Sequence, residues 1–341
     1  MYNFYTEAFA EPTKALREAA TYAPVGNSLT NDDPSTRLLL ERMAEFLGKE
    51  AALFMSSGTM CNEVAIRAHI KPGQEVICEK SSHIIHFECG APAAMCGAMI
   101  QAIDGKRGMY TGDQLRGAIR GEGLYYPETG LIEVEQTANM AGGAVWPIEQ
   151  LREISSIAKE HGISTHMDGA RMINAVVATG IPAAEMAKDY DSVYMDFCKA
   201  LACPFGAVLA GSQEFINRAW RIRQMIGGGI RRTGMMAAMC NYALDNHIDR
   251  IADDHRLAKS LEERISNMKG VERVLPVDTN IVMVDFDPSG PTAKEVVAKL
   301  REDGVMVGAF AAHRIRIITF QGLDDVAGDA LCNSLNRALN S

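Results

Sequence analysis

The sequence predicts an α/β protein: a mostly parallel sheet with helices on both faces, followed by a small C-terminal α+β domain. Three observations predict it. Short apolar runs alternate with helix-periodic segments over the first two-thirds of the chain. Hydrophobic residues make up 47% of the 341 residues and charged residues 23%, enough for a large core. Near residue 235 the pattern changes, and a long charged helical stretch gives way to strands and helices in a different order.

In chain order, Pro34 and Ser35 give the start signal of a helix over 35–47, with Leu38, Leu39, Leu40, Met43 and Leu47 mostly on one face. Residues 51–55 form an apolar strand, and Ser56-Ser57-Gly58-Thr59 opens a second helix. Pro72-Gly73 precedes a strand at 75–78, and another follows at 131–134. An amphipathic helix over 148–161 ends at Gly162, and strands follow at 163–167, 192–195 and 205–209. Beyond them come one long helix-periodic stretch over 235–268, strands within 271–286, a helix over 293–303, a strand at 314–319 and a closing helix over 326–340. This divides the chain into a large domain with an N-terminal arm, residues 1–245, and a small domain, residues 246–341.

Charge and cysteine usage narrow the function classes. Lys and Arg total 34 against 43 Asp and Glu, a net charge of −9, which argues against general nucleic-acid or membrane-surface binding. No run approaches the 18 or so apolar residues of a membrane span, and the first 13 residues, with Glu7 and Glu11, do not read as a secretory signal. None of the eight cysteines forms a C-x-x-C pair or a zinc-finger spacing, so neither a disulfide framework nor a metal centre is expected. A reducing, cytoplasmic setting suits them.

Three local features carry chemistry. Lys199 lies in the apolar segment 193–206, a setting that favours the neutral amine as nucleophile or Schiff-base former; the alternative is a lysine that snorkels to the surface. Asp168 and Arg171 directly follow the strand at 163–167, where open α/β sheets gather functional residues; the alternative is a strand-end cap. Ser57, Gly58 and Thr59 sit between a strand and a helix, where free amides cradle phosphate; the alternative is an ordinary N-cap. Together they meet the needs of pyridoxal 5'-phosphate: a phosphate cradle, an acid that keeps the ring nitrogen protonated so the ring can take up electrons, and a lysine for covalent attachment.

At these residues the sequence resembles the L-threonine aldolases and related β-eliminating lyases, pyridoxal-phosphate enzymes of the aspartate-aminotransferase fold. The resemblance runs through residues 48–62, residues 166–171 with Asn174-Ala175, residues 191–206, Gly227-Gly228-Gly229-Ile230-Arg231 and Arg316-Ile317-Ile318-Thr319. It implies that Lys199 binds the cofactor covalently, that Asp168 faces the ring nitrogen, and that Ser57, Gly58 and Thr59 hold the phosphate. His83 matches the histidine that stacks on the ring and acts in catalysis, whereas His86 matches no role. Arg171 and Arg316 match the pair near the substrate carboxylate, a group that a guanidinium fork suits. Arg231 matches a phosphate or subunit-interface arginine. Homodimers or homotetramers with sites at subunit interfaces are implied as well.

The chain departs from the family at three places. Tyr5-Thr6-Glu7-Ala8 stands where the family usually has Arg-Ser-Asp-Thr, so Thr6 takes the place of a substrate-side serine and Tyr5 supplies no cation. A family tyrosine falls at Thr30. Glu135-Gln136-Thr137-Ala138-Asn139 replaces Glu-Asn-Thr-His-Asn, so the histidine at the substrate β-hydroxyl becomes Ala138. The resemblance then implies an aldolase that cleaves a β-hydroxy-α-amino acid to glycine and an aldehyde, with room at Ala138 for a side chain bulkier than threonine's. The base at the hydroxyl is open among a water, a phosphate oxygen, His83 and Lys199. The same cofactor permits β-elimination, racemisation or transamination instead, and a degenerate cofactor-binding scaffold is the reading outside catalysis.

Overall fold

The computed structural model describes residues 1–121 and 123–340. Seven strands build the central sheet: β1 (Ala51–Met55), β2 (Glu75–Glu79), β3 (Met99–Ile103), β4 (Thr129–Glu135), β5 (Ser164–Gly169), β6 (Ser192–Asp196) and β7 (Ala207–Gly211). Their order is β1-β7-β6-β5-β4-β2-β3, and β7 alone runs against the others. The fold class is therefore the one expected.

The strands read as continuous apolar runs because both faces are covered. On β6, Val193 and Met195 join the core beneath helices Pro34–Phe46, Ile148–Glu160 and Gly234–Asn246. Tyr194, between them, joins the opposite core with Cys61 and Val64 of helix Gly58–His69 and Phe215 of helix Gln213–Met225. This period-two alternation fixes the register, since a slip of one residue would exchange the two cores. In that register Glu135 lies opposite Asp168, Asp168 opposite Tyr194, and both Met55 and Asp196 opposite Ala207. One edge of the sheet thus collects the carboxyl ends of β1, β4, β5 and β6.

Two differences from the sequence reading have physical causes. Strand β3 went unseen because it is an edge strand with Met99 and Ala102 exposed, so its five residues show no buried apolar run. The stretch 235–268 is not one helix but two, Gly234–Asn246 and Ile251–Ile265. The break is fixed by tertiary contacts: His247 Nδ1 bonds the carbonyl of Leu201 at 2.9 Å, and Arg250 Nη1 donates to that of Ala200 at 3.2 Å. Both carbonyls belong to the turn that follows Lys199.

A second, antiparallel sheet has the order β10-β11-β9-β8, with β8 Val271–Val274, β9 Ile281–Phe286, β10 Gly308–Ala311 and β11 Arg314–Ile318. Helices Ile251–Ile265, Ala293–Glu302 and Asp325–Asn340 pack around it. The first residues of the chain belong to this unit: Tyr2–Asn3 pairs in parallel with Val305–Met306, and the fully buried Phe4 sits in the same core. Its amide donates to Met306 O and its carbonyl accepts from Ile318 N, at 2.8 and 2.9 Å. Phe4→Ala should therefore cost about 3–5 kcal/mol of stability in chemical denaturation. A loss below about 1 kcal/mol would mean that the arm is not clamped there.

Candidate active site

Glycine at 58 follows from close packing. A Cβ there would lie 2.9 Å from Tyr194 Oη and 3.2 Å from Asp196 Oδ2. Ser57 caps the helix by accepting from Met60 N at 3.2 Å. The amides of Gly58 and Thr59 begin the helix without intrahelical acceptors, the arrangement that receives a phosphate.

Asp168, 1% exposed at the end of β5, is held by neutral donors only. Ala170 N donates to Oδ1 at 3.0 Å and Asn62 Nδ2 to Oδ2 at 2.9 Å. Asn62 donates its second N–H to Glu88 Oε1 at 2.7 Å, so its Oδ1 must accept, at 3.1 Å, from His166 Nε2–H. His166 Nδ1 then accepts from Ser192 Oγ at 2.8 Å, and Ser192 accepts from His69 Nε2 at 2.7 Å. Burial pushes His166 down to about 3 and His69 down to about 4, so this line is neutral near pH 7.

His83 is half-buried at the start of its short helix. Its Nδ1 bonds Glu88 Oε1 at 2.8 Å, and donor atoms of His83, Glu88 and Asp168 all lie within 4.8 Å of one another. Burial lowers the affinity of His83 for its proton, but Glu88, Asp168 and Glu135 raise it above the ordinary value. Glu135 accepts from the amides of His83 and Asn139, both at 3.0 Å, while burial and the Asp168 charge push it up. Burial pushes Glu133 far up as well, and Ser82 Oγ donates to it at 3.1 Å. Among the described residues, no Lys or Arg pairs with Asp168, Glu88, Glu133 or Glu135, so the pocket floor is rich in acid and short of cation. A protonated ring nitrogen facing Asp168 fits that deficit.

A second group of residues is cationic. Lys199 is half-buried rather than sealed in its apolar segment, and its Nζ has no hydrogen bond or ion pair among the described residues. Arg171 is buried, but its fork is taken: Nε and Nη2 donate to the two oxygens of buried Glu7 at 2.7 and 2.8 Å. Burial alone would raise Glu7, yet Arg171, Lys199 and a bond from Asn280 bring it down to about 2. Arg316, also buried, has no carboxylate partner. Its Nη1 donates to Asn139 Oδ1 at 2.8 Å, its guanidinium lies 4.0 Å over the Phe310 ring, and its Nε is unpartnered. Burial and the nearby Arg171 lower it to about 10. Of the two arginines expected at a substrate carboxylate, Arg316 therefore has the unused capacity.

Three expected residues stand apart from this arrangement. Thr6 caps a short 3-10 turn, accepting from Ala8 N at 3.3 Å. Arg231 is exposed, and only its backbone carbonyl is engaged, by Ser28 N at 2.7 Å. Ala138 is 3% exposed and packs with Ala141, Ala144 and Met109. A Cβ on Gly108 would lie only 2.5 Å from that of Ala138, so the turn at Arg107-Gly108 fills the volume that a missing imidazole would have left. The partners Glu7, Asn62, Glu88 and Asn139 were not singled out from sequence. Glu7, Asn62 and Asn139 lay inside quoted segments, and their burial was the missing signal.

Glu7→Gln should lower stability near neutral pH by about 3–5 kcal/mol, because Arg171 stays buried without its counter-ion. The carboxyl of Glu7 is depressed from its ordinary 4.5 to about 2, so its contribution is full above pH 4.5 and lost as pH falls toward 2. Urea denaturation of both proteins should show the gap closing across that interval, and a constant gap would remove Glu7 as a charged partner.

Residues 3–289 match the family model of β-eliminating lyases. The chain is 36% identical over 319 residues to low-specificity L-threonine aldolase 1 of Arabidopsis thaliana, covering 92% of this chain and 89% of that one. The threonine aldolase structure from Leishmania major aligns with a TM-score of 0.83 at 19% identity over 99% of both chains. An aspartate aminotransferase double mutant from Thermus thermophilus aligns at 0.77 and 18% identity, covering 99% of this chain and 92% of that one. At those identities the structural likeness establishes the fold. Among the described residues, no helix is long and apolar enough to cross a membrane.

Proposed function

Because the chain belongs to the β-eliminating lyase family of pyridoxal-phosphate enzymes, we propose that it cleaves the Cα–Cβ bond of a β-hydroxy-α-amino acid to glycine and an aldehyde. The observations that carry this are the charges: a buried acid cluster around Asp168, Lys199 with no ion pair among the described residues, and the carboxylate-free Arg316. When bound, pyridoxal phosphate supplies the sink for the electron pair released at Cα. Lys199 would hold it covalently, Asp168 would keep its ring nitrogen protonated, and the helix start at Ser57, Gly58 and Thr59 would take its phosphate.

Arg316 would receive the substrate carboxylate, with Arg171 held behind it by Glu7. With Ala138 in place of a histidine, the β-hydroxyl proton would pass to His83. Its Nδ1 is committed to Glu88, which leaves Nε2 free to accept a proton. Arg231, exposed on a single chain, would act at a phosphate only if a second copy delivered it, so a homodimer or homotetramer belongs to this reading. A cytoplasmic location does too, and the eight free cysteines support it.

Purified protein should be yellow, and borohydride should fix the cofactor to Lys199 alone, as read by peptide mapping. Label on another lysine would overturn the site. Lys199→Ala should abolish turnover.

The finer reading, a β-substituent larger than methyl, now rests on the donor missing at Ala138 rather than on open volume. Small substrates lose that hydrogen bond and have little apolar burial to offset it. The expected outcome is a kcat/KM for a β-aryl substrate about tenfold above that for threonine, roughly 1.4 kcal/mol. Glycine release across a panel of β-hydroxy amino acids measures it. A threonine preference would remove the bulky reading, and keto acid plus ammonia in place of glycine would remove aldol cleavage.

A further inference from the structure

Glu63 sits on the helix that Ser57 caps, one residue after Asn62, and is 3% exposed. No cation pairs with it among the described residues. Arg67, one turn on, spends its Nη1 on Met95 O at 2.9 Å. The thiol of Cys96 donates to Glu63 Oε2 at 3.2 Å, while Oε1 has no donor. Glu88 shows the same imbalance: Oε1 receives both Asn62 and His83, and Oε2 is buried without a partner. The two carboxyl groups are within hydrogen-bonding reach of each other. Two adjacent buried carboxyls do not both ionise near neutral pH, and a single O–H shared between Glu63 and Glu88 would give both orphaned oxygens a partner. Glu88 already receives two N–H donors, so the proton belongs on Glu63.

We infer that Glu63 is a positioning residue for this site: its carboxyl donates the hydrogen bond that holds Glu88 as the anionic partner of His83, leaving Nε2 of His83 as the open, proton-accepting edge. The inference rests on the aldolase reading only for the use made of that edge. Burial, followed by the hydrogen bond and charge of Glu88, pushes Glu63 up to about 8, with the Cys96 bond opposing. The other titratable groups near the pair are Cys61, Tyr194, Glu133, Asp168 and Glu135, with His166 neutral behind Asn62. None of them supplies a cation. When Glu63 ionises, Glu88 loses its donor and gains a neighbouring negative charge, and His83 then holds its proton more tightly.

The test is a histidine ring NMR titration of the full-length protein as purified, with the His83 signal assigned by its loss in His83→Asn. Wild type should show an inflection of the His83 signal near pH 8, separate from the ring's own titration. Glu63→Gln keeps an N–H donor to Glu88 but does not ionise, so the inflection should vanish and the signal below it should stay in place. Glu63→Leu supplies no donor and should shift the midpoint of His83 itself. The alkaline side of the kcat pH profile for glycine release should follow the same pattern. An inflection that persists in Glu63→Gln, or that wild type lacks, would overturn the inference, as would identical behaviour of Gln and Leu. If Leu fails to fold, the Gln comparison decides. A normal inflection without glycine release would instead count against the aldolase reading and leave Glu63 in its role.

Discussion

Everything at the carboxyl edge of the sheet depends on keeping several buried acids close together without a Lys or Arg partner among the described residues. Register forces the crowding. Once the two cores fix the phase of β4, β5 and β6, Glu135, Asp168 and Asp196 must end on adjacent strands. In a low-dielectric interior, ionising all the carboxyls gathered there would be prohibitive. The chain answers in two ways. Some groups give up their charge, as burial drives Glu133 and Glu135 upward. Others keep it through neutral donors, chiefly Asn62, whose two N–H groups serve Glu88 and Asp168 together. The residual negative charge is what a protonated ring nitrogen would balance in the proposed site.

The cations are managed by the opposite device. Arg171 is neutralised by Glu7, which reaches it from the N-terminal arm, and Asn280, just before β9, donates to the same Glu7 oxygen at 3.1 Å. One ion pair therefore joins the start of the chain, the end of β5 and the second sheet. Its consequence is selective: it removes Arg171 as a free anion receptor and leaves Arg316, which has only an amide oxygen and an aromatic face. The turn after Lys199 is braced from the same side, because His247 and Arg250 bond its carbonyls. The helix break there is the price of placing Lys199.

Much of this was legible in the sequence because period-two alternation and strand-end position are local. The strands read at 51–55, 163–167 and 192–195, the cap at Ser57 and the isolated apolar-segment lysine are each visible within ten residues. What was not legible is non-local pairing. Glu7 reads as an exposed arm residue until Arg171, 164 positions away, is placed beside it. Glu63 reads as a helix-surface acid, since its helix start is identical whether its second turn faces solvent or Glu88. The 235–268 stretch kept helical periodicity through the break, because the contacts that end the first helix come from residues 200 and 201. Ala138 was legible as a missing imidazole but not as a filled space, since the filling turn comes from another strand connection.

That filled space ties the surroundings of Ala138 to the relation between the two sheets. The turn over residues 106–109 places Gly108 against Ala138, and glycine is required there because φ is +71° and any Cβ would collide with Ala138. Arg107 reaches from the same turn to the second unit, donating to Asp278 Oδ2 at 2.9 Å and Pro276 O at 3.2 Å. Asp278 Oδ2 in turn accepts from Val145 N at 3.1 Å, on the loop that carries Ala138 and Asn139 toward Arg316. Asp278 thus holds the Gly108 turn and the Ala138 loop with one carboxylate. The packing around Ala138 is thus set by the docking of the second unit and not by the side chain at position 138 alone.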